Sequence, residues 1–197
     1  MCAVKENAGV SAMDWVIWGA LVLIVLFGIW TYNSLVTLRA RVSQAFADID
    51  VQLKQRHDLI PNLIETVKGY VAHERGTLEA VIETRNAALR AQGPADQATA
   101  ENALSGALGR LLALSEAYPD LKASANFQQL QADLADIENK LAAARRYFNN
   151  GAAEYNAAIQ HFPAVLFAGA MGFRPQPYFD VGETERQALD TPPKVAF

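Results

Sequence analysis

Residues Arg56 to Glu74, RHDLIPNLIETVKGYVAHE, bring two histidines (His57, His73), three carboxylates (Asp58, Glu65, Glu74) and two cations (Arg56, Lys68) into nineteen positions. Such a mixture suits acid–base work or a metal centre, and each chemistry demands its own spacing. A zincin needs H-E-x-x-H, two histidines four apart on one helical face with the glutamate as base. Here HERGT puts Thr77 where the second histidine must stand. A di-iron bundle needs Glu-x-x-His pairs on two helices. ETVK places Lys68 at the histidine position and ENKL places Leu141 there. No serine occupies a G-x-S-x-G elbow, and no G-x-x-x-x-G-K-[ST] phosphate loop occurs. The one cysteine, Cys2, precedes every apolar segment, so neither a disulfide framework nor a cysteine metal site can form.

The stretch therefore reads as scaffold. Asp58 is placed to cap a helix whose first turn contains Pro61, where a missing N–H costs no helical bond. Glu65 and Lys68 can pair at i, i+3, and Leu63, Val67 and Val71 share an inward face. Arg56, His57, Asp58, Asn62 and Glu65 are expected to form a polar seam between helices. No catalytic, cofactor-binding or metal-ligating residue is expected.

The elements that hold this stretch begin with WVIWGALVLIVLFGIWTY, Trp15 to Tyr32, which carries no charge. As a helix it is about 27 Å long, close to the hydrocarbon thickness of a bilayer. Trp15 and Trp18 at one end and Trp30 and Tyr32 at the other take the places of interfacial rings, with Leu23, Leu26 and Phe27 between them. The run lacks the short core and A-x-A-like site of a cleaved signal, and the chain leads on into NSLVTLRARV. An uncleaved single-pass anchor over 13–34 is expected, after a short tail over 1–12. Arg39 and Arg41 follow the span closely, against Lys5 before it, so the positive-inside rule puts the N-terminus outside and the remaining domain in the cytoplasm.

Beyond the anchor, Leu35, Leu38, Val42, Phe46, Ile49 and Leu53 step by three and four and continue it as a stalk that sets the domain's distance from the bilayer. A second pattern runs from Leu63 through Val67, Leu78 and Val81 to Leu89 and stops at Gln92, Gly93 and Pro94. A third covers roughly 96–117 with Leu104, Leu108, Leu111 and Leu112 inward, and YPDL reads as a turn. The fourth is the longest: Phe127, Leu130, Leu134, Ile137, Leu141, Ala144, Phe148 and Tyr155 keep a seven-residue, coiled-coil-like period from Ser124 or Asn126 to Phe162 and Pro163. Gly151 inside it marks a bend. The fold class is all-α: a transmembrane helix continuing into an antiparallel bundle of about four long helices over 35–179, then a disordered tail over 180–197.

YNSLVTLRARVSQAFADIDVQLKQRHDLIPNLIETVKGYVAHE (Tyr32 to Glu74) and YPDLKASANFQQLQADLADIENKLAAARRYFNNGAAEYNAAIQHFPAVLFAGAMGF (Tyr118 to Phe173) resemble the LemA family of bacterial membrane-anchored helical proteins. DLIPNL, YPDLKA, NF, EN, AR, YN, FP and GF appear in the family's order, over roughly 32–179. The resemblance implies one N-terminal membrane helix and a cytosolic bundle of long antiparallel helices, and brings no catalytic residues with it.

A net charge of −4 with scattered lysines and arginines argues against a nucleic-acid partner. The expected function is a noncatalytic scaffold in the bacterial inner membrane, self-associating as a homo-oligomer that organises or remodels membrane. The apolar segment Phe162, Val165, Leu166, Phe167, Met171 and Phe173 would supply an oligomer or bilayer contact. The alternative is a tethered binding or signalling adaptor whose groove takes a membrane or cytosolic protein; polar residues such as Asn62, Asn149, Asn150 and Asn156 would then matter. A third reading is an enzyme built on Arg56, His57, Asp58, His73 and Glu74.

Overall fold

The computed structural model describes residues 12–71 and 74–179. The disordered tail expected over 180–197, nearly all of the tail expected over 1–12, and His73 lie outside the described residues.

Helix α1, Ala12–Lys68, carries the apolar span directly into the domain as one 57-residue helix, about 86 Å long at 1.5 Å per residue. Leu35, Val42, Ala45, Ile49 and Leu53 are buried on one face, with Leu38 and Phe46 packed against them, as their spacing predicts. The chain reverses through a turn at Gly69 and Tyr70 into α2 (Arg75–Ala88), then α3 (Gly93–Leu114), a single helical turn α4 (Pro119–Lys122) and the 36-residue α5 (Ala125–Gln160). Among the described residues there is no strand.

Cross-helix contacts fix the directions. Val42 lies beside Gly151, Phe46 beside Phe148 (ring centroids 5.6 Å apart) and Arg56 beside Glu138, so α5 runs antiparallel to α1. Arg85 of α2 reaches His57, whereas Gln97 and Glu101 of α3 meet Asp50 and Arg56 in rising order. The helices thus alternate up, down, up, down. The expected four-helix arrangement is present with unequal lengths: α1 and α5 are long, while α2 and α3 form a shorter hairpin over the half of the domain farther from the span.

Two apolar cores result. The one nearer the span holds Leu35 to Leu53 of α1 and Leu141, Phe148, Ala152, Tyr155 and Ile159 of α5. The farther one holds Ile60, Leu63, Ile64, Val67 and Val71, met by Leu78 and Val81 of α2, by Leu104, Leu108 and Leu111 of α3, and by Phe127 and Leu134 of α5. Fully burying each such side chain is worth roughly 1.5–3 kcal/mol.

The structure departs from the expected helix start at Asp58 and Pro61, since α1 runs unbroken through both. An interior proline removes the N–H that would bond the carbonyl four residues back, here that of His57. Arg85 supplies the missing donor, its Nε lying 2.8 Å from that oxygen. Two other boundaries shift. Gly93, at φ +80°, and Pro94 open α3 rather than only closing α2, and the expected YPDL turn is the helical turn α4. Helix α5 begins after Ser124 as expected. It is continuous through Gly151, where a bend was the sequence's suggestion.

Candidate functional site

Between the two cores lies a layer of charge. Arg56 and His57 of α1 are 4% and 5% exposed, and Glu101 of α3 is 1% exposed, so all three have left water. Such burial is tolerated only when charges are paired and their remaining donors and acceptors bonded. Here they are. Arg56 Nη1 donates to Glu101 Oε2 at 2.8 Å, and Arg56 Nη2 donates to Ser105 Oγ at 2.8 Å while standing 3.2 Å from Glu138 Oε2 of α5. His57 Nε2 lies 2.6 Å from the other oxygen of Glu101. Glu101 and Ser105 sit one turn apart on α3, which lets one helix face both ends of the guanidinium.

Of the expected polar seam, the structure brings Arg56 and His57 together and leaves out Asp58, Asn62 and Glu65, which are exposed. The helical period explains this: α1 turns Ile60, Leu63, Ile64 and Val67 inward and carries those three positions to the outer side. Glu65 does form its i, i+3 pair with Lys68, at 2.7 Å on the surface. Sequence reasoning did not single out Glu101, Ser105 or Arg85. One signal was present: extending the Leu104, Leu108 and Leu111 face back by three residues lands on Glu101.

A cavity of about 410 Å³ opens beside the layer, walled by Arg56, Ser105, Leu108, Leu134 and Glu138. Every charged group at its floor is already committed to another side chain. The hydroxyl in the layer, that of Ser105, accepts from Arg56. Among the described residues no three His, Cys, Asp or Glu side chains are grouped to hold a metal ion. The arrangement serves to fasten α1, α3 and α5 together.

At the other end of the domain, a segment after α5 packs back along it. Asn149 and Asn156, two turns apart, each grip this segment through a pair of backbone bonds. Asn156 Nδ2 donates to Gln176 O at 2.9 Å and its Oδ1 accepts from Gln176 N at 2.8 Å. Asn149 does the same with Phe179, at 3.0 and 2.8 Å. The Phe179 ring is buried under the Arg145 guanidinium, 5.0 Å from its centroid. Burial also pushes the nearby Tyr155 phenol above its ordinary value of 10.0, against the opposing charge of Arg39 and a backbone contact from Arg174.

The loop between α5 and this segment contains the expected oligomer or bilayer contacts. Phe162 and Leu166 are 78% and 73% exposed, Val165 and Met171 are also exposed, and Phe167 is half-buried against the core. Phe173 departs from its expected place on that surface: it is buried, its ring edge-on to Tyr32 with centroids 5.6 Å apart. The expected anchor residues Trp15, Trp18, Leu23, Leu26, Phe27, Trp30 and Tyr32 are all exposed. Their stretch of α1 is the one helix among the described residues long and apolar enough to cross a membrane, and none of residues 15–30 is buried by the domain.

Comparison with known proteins agrees with these features. The model of the LemA family matches residues 45–197. The chain is 27% identical over 187 positions to magnetosome protein MamQ of Magnetospirillum gryphiswaldense, and 25% identical over 187 positions to magnetosome protein MamQ 2 of Paramagnetospirillum magneticum. In both cases the match covers 82% of this chain and 67% of the relative. It is also 25% identical over 163 positions to protein LemA of Metamycoplasma hominis, covering 81% of this chain and 73% of that one.

Proposed function

The chain belongs to the LemA family and is a membrane-associated helical protein, and from that premise we propose that it is a noncatalytic, single-pass scaffold whose domain self-associates on the cytoplasmic face of a bacterial inner membrane. The observation that carries this reading is the continuity of α1. One helix forms both the apolar span and a wall of both cores, so the domain cannot tumble free of its anchor. Anchoring confines copies to a plane and raises their effective concentration, which lets weak lateral contacts build an assembly. The internally satisfied charge layer supports a structural role, since its groups are bonded to one another. Arg39 and Arg41, just past the span, support the cytoplasmic placement. The magnetosome relatives, by their names constituents of a cellular compartment, support organising or remodelling of membrane as the task.

The test is the mass of the full-length protein in mild detergent, by light scattering or native mass spectrometry, beside a version lacking residues 1–34. An assembly well above a dimer that shrinks without the anchor is the expected result. A monomer or dimer in both forms would replace the scaffold by an adaptor that presents its surface to a protein partner.

A further inference from the structure

The apolar span and the end of α5 converge on one level. Val42 opposite Gly151 and Phe46 opposite Phe148 bring the last turn of α5 beside the residues where the span ends, and the Tyr32–Phe173 ring contact ties the two directly. At this point α5 stops. The chain turns at Phe162 and Pro163, makes a short 3₁₀ turn over Ala164–Leu166, and folds Ala164, Ala168 and Phe173 inward. What remains outside is Phe162, Val165, Leu166 and Met171.

This exposure belongs to a fastened loop. Val165 N bonds His161 O, Ala168 N bonds Ala164 O, and Phe173 N bonds Ala168 O, while Asn156 holds Gln176 just beyond. Contiguous apolar surface on an ordered element marks a contact, and the loop's position at the anchor's end says which. From Phe162 to Phe173 the sequence has no charged residue, so no side-chain charge resists immersion; Arg174 follows directly, and Arg39 and Arg41 lie a few turns beyond Tyr32 on α1, all three exposed and suited to anionic headgroups.

We propose that the loop over residues 162–171 is a second membrane contact, its Phe162, Val165, Leu166 and Met171 side chains seated at the headgroup–acyl boundary of the same leaflet from which α1 emerges. The proposal rests on α1 being a membrane anchor. With both contacts made, the domain holds one face toward the bilayer. Loops and helices of this kind bury their apolar side about 5–10 Å into the interface.

The test uses the full chain with Cys2→Ser, carrying a single environment-sensitive fluorophore at Leu166→Cys, Ile24→Cys or Tyr147→Cys. Each protein is placed at one copy per nanodisc of phosphatidylethanolamine and phosphatidylglycerol with nitroxide-bearing lipids. All three positions are exposed on the protein surface, so labelling leaves the core intact. The expected result is blue-shifted emission at position 166, quenched severalfold more by shallow nitroxides than emission at position 147. Water-like emission at 166 with strong quenching at 24 would overturn the loop contact and leave the anchor standing. Water-like emission at both would remove the anchor and the loop contact together. Shielding of 166 that requires several copies per disc, without lipid quenching, would overturn the proposal in favour of a second copy of the chain.

Discussion

Arg85 Nε donates a 2.8 Å hydrogen bond to the carbonyl oxygen of His57, the acceptor that Pro61 leaves without its helical partner. A residue of α2 thereby repairs α1 at the point where its own sequence would interrupt it. A buried acceptor left unmet costs roughly 1–3 kcal/mol. Arg85→Ala is expected to lower unfolding stability by about that amount in chemical denaturation of the full-length protein in detergent. In a Pro61→Ala background the backbone N–H returns, and the same arginine substitution should then cost less than about 0.5 kcal/mol, the residue of lost packing. Equal costs in the two backgrounds would mean that Arg85 acts through other contacts.

The two carboxylates around Arg56 differ in their surroundings, and their removal should differ too. Glu101 is buried and meets both Arg56 and His57; the Glu138 side chain is 45% exposed. Glu101→Ala strips a buried cation of its main partner and should cost about 3–5 kcal/mol. Glu138→Gln removes a partly solvated arm and should cost no more than about 1 kcal/mol. Comparable losses would shift the weight of the layer to its outer edge.

The asparagine pair offers a local readout. Pro175 and Pro177 have no N–H, and the amides of Gln176 and Phe179 are the ones taken by Asn156 and Asn149. Asn156→Ala should speed hydrogen exchange at Gln176 more than at Phe179, and Asn149→Ala should do the reverse. A uniform change at both sites would indicate that the segment detaches as one piece and that the two grips are not separable.

Gly151 lies in the interior of α5, where glycine costs roughly 1 kcal/mol relative to alanine. A Cβ added there would meet Val42 Cγ2 at 3.7 Å, an ordinary contact. Gly151→Ala should therefore stabilise the protein by about 0.5–1 kcal/mol, read as a higher denaturation midpoint. Destabilisation would show that α1 and α5 approach more closely than this distance allows.

The parts of this fold that local periodicity governs were legible. The faces from Leu35 to Leu53 and from Phe127 to Tyr155 fall in the core because apolar steps of three and four leave a helix one way to bury them. Pro61 misled because a proline's local cost says nothing of a donor that arrives from residue 85, across a turn and another helix. Asp58 was judged on the same premise; without a helix start there it is simply an outward residue. Glu101 looked like any surface glutamate in a loosely patterned stretch, and its partners on α1 lie 44 and 45 residues away. The long apolar helix was plain from length and the absence of charge, whereas the inward turn of Phe173 depends on Tyr32, far off in sequence.

The charge layer also limits how the two long helices can slide. Their apolar faces repeat closely enough that a shift of one turn would still set apolar side chain against apolar side chain along much of α5. Sliding α1 by a turn against α3 and α5 together would bring Arg56 opposite Leu134 or Leu141, both buried, take it from Glu101 and Ser105, and strand its charge at a cost of several kcal/mol. A single polar step in an otherwise repetitive seam thus selects one register from several of similar greasiness. It does so within one chain, so copies packed side by side in a membrane would each keep their own pairing.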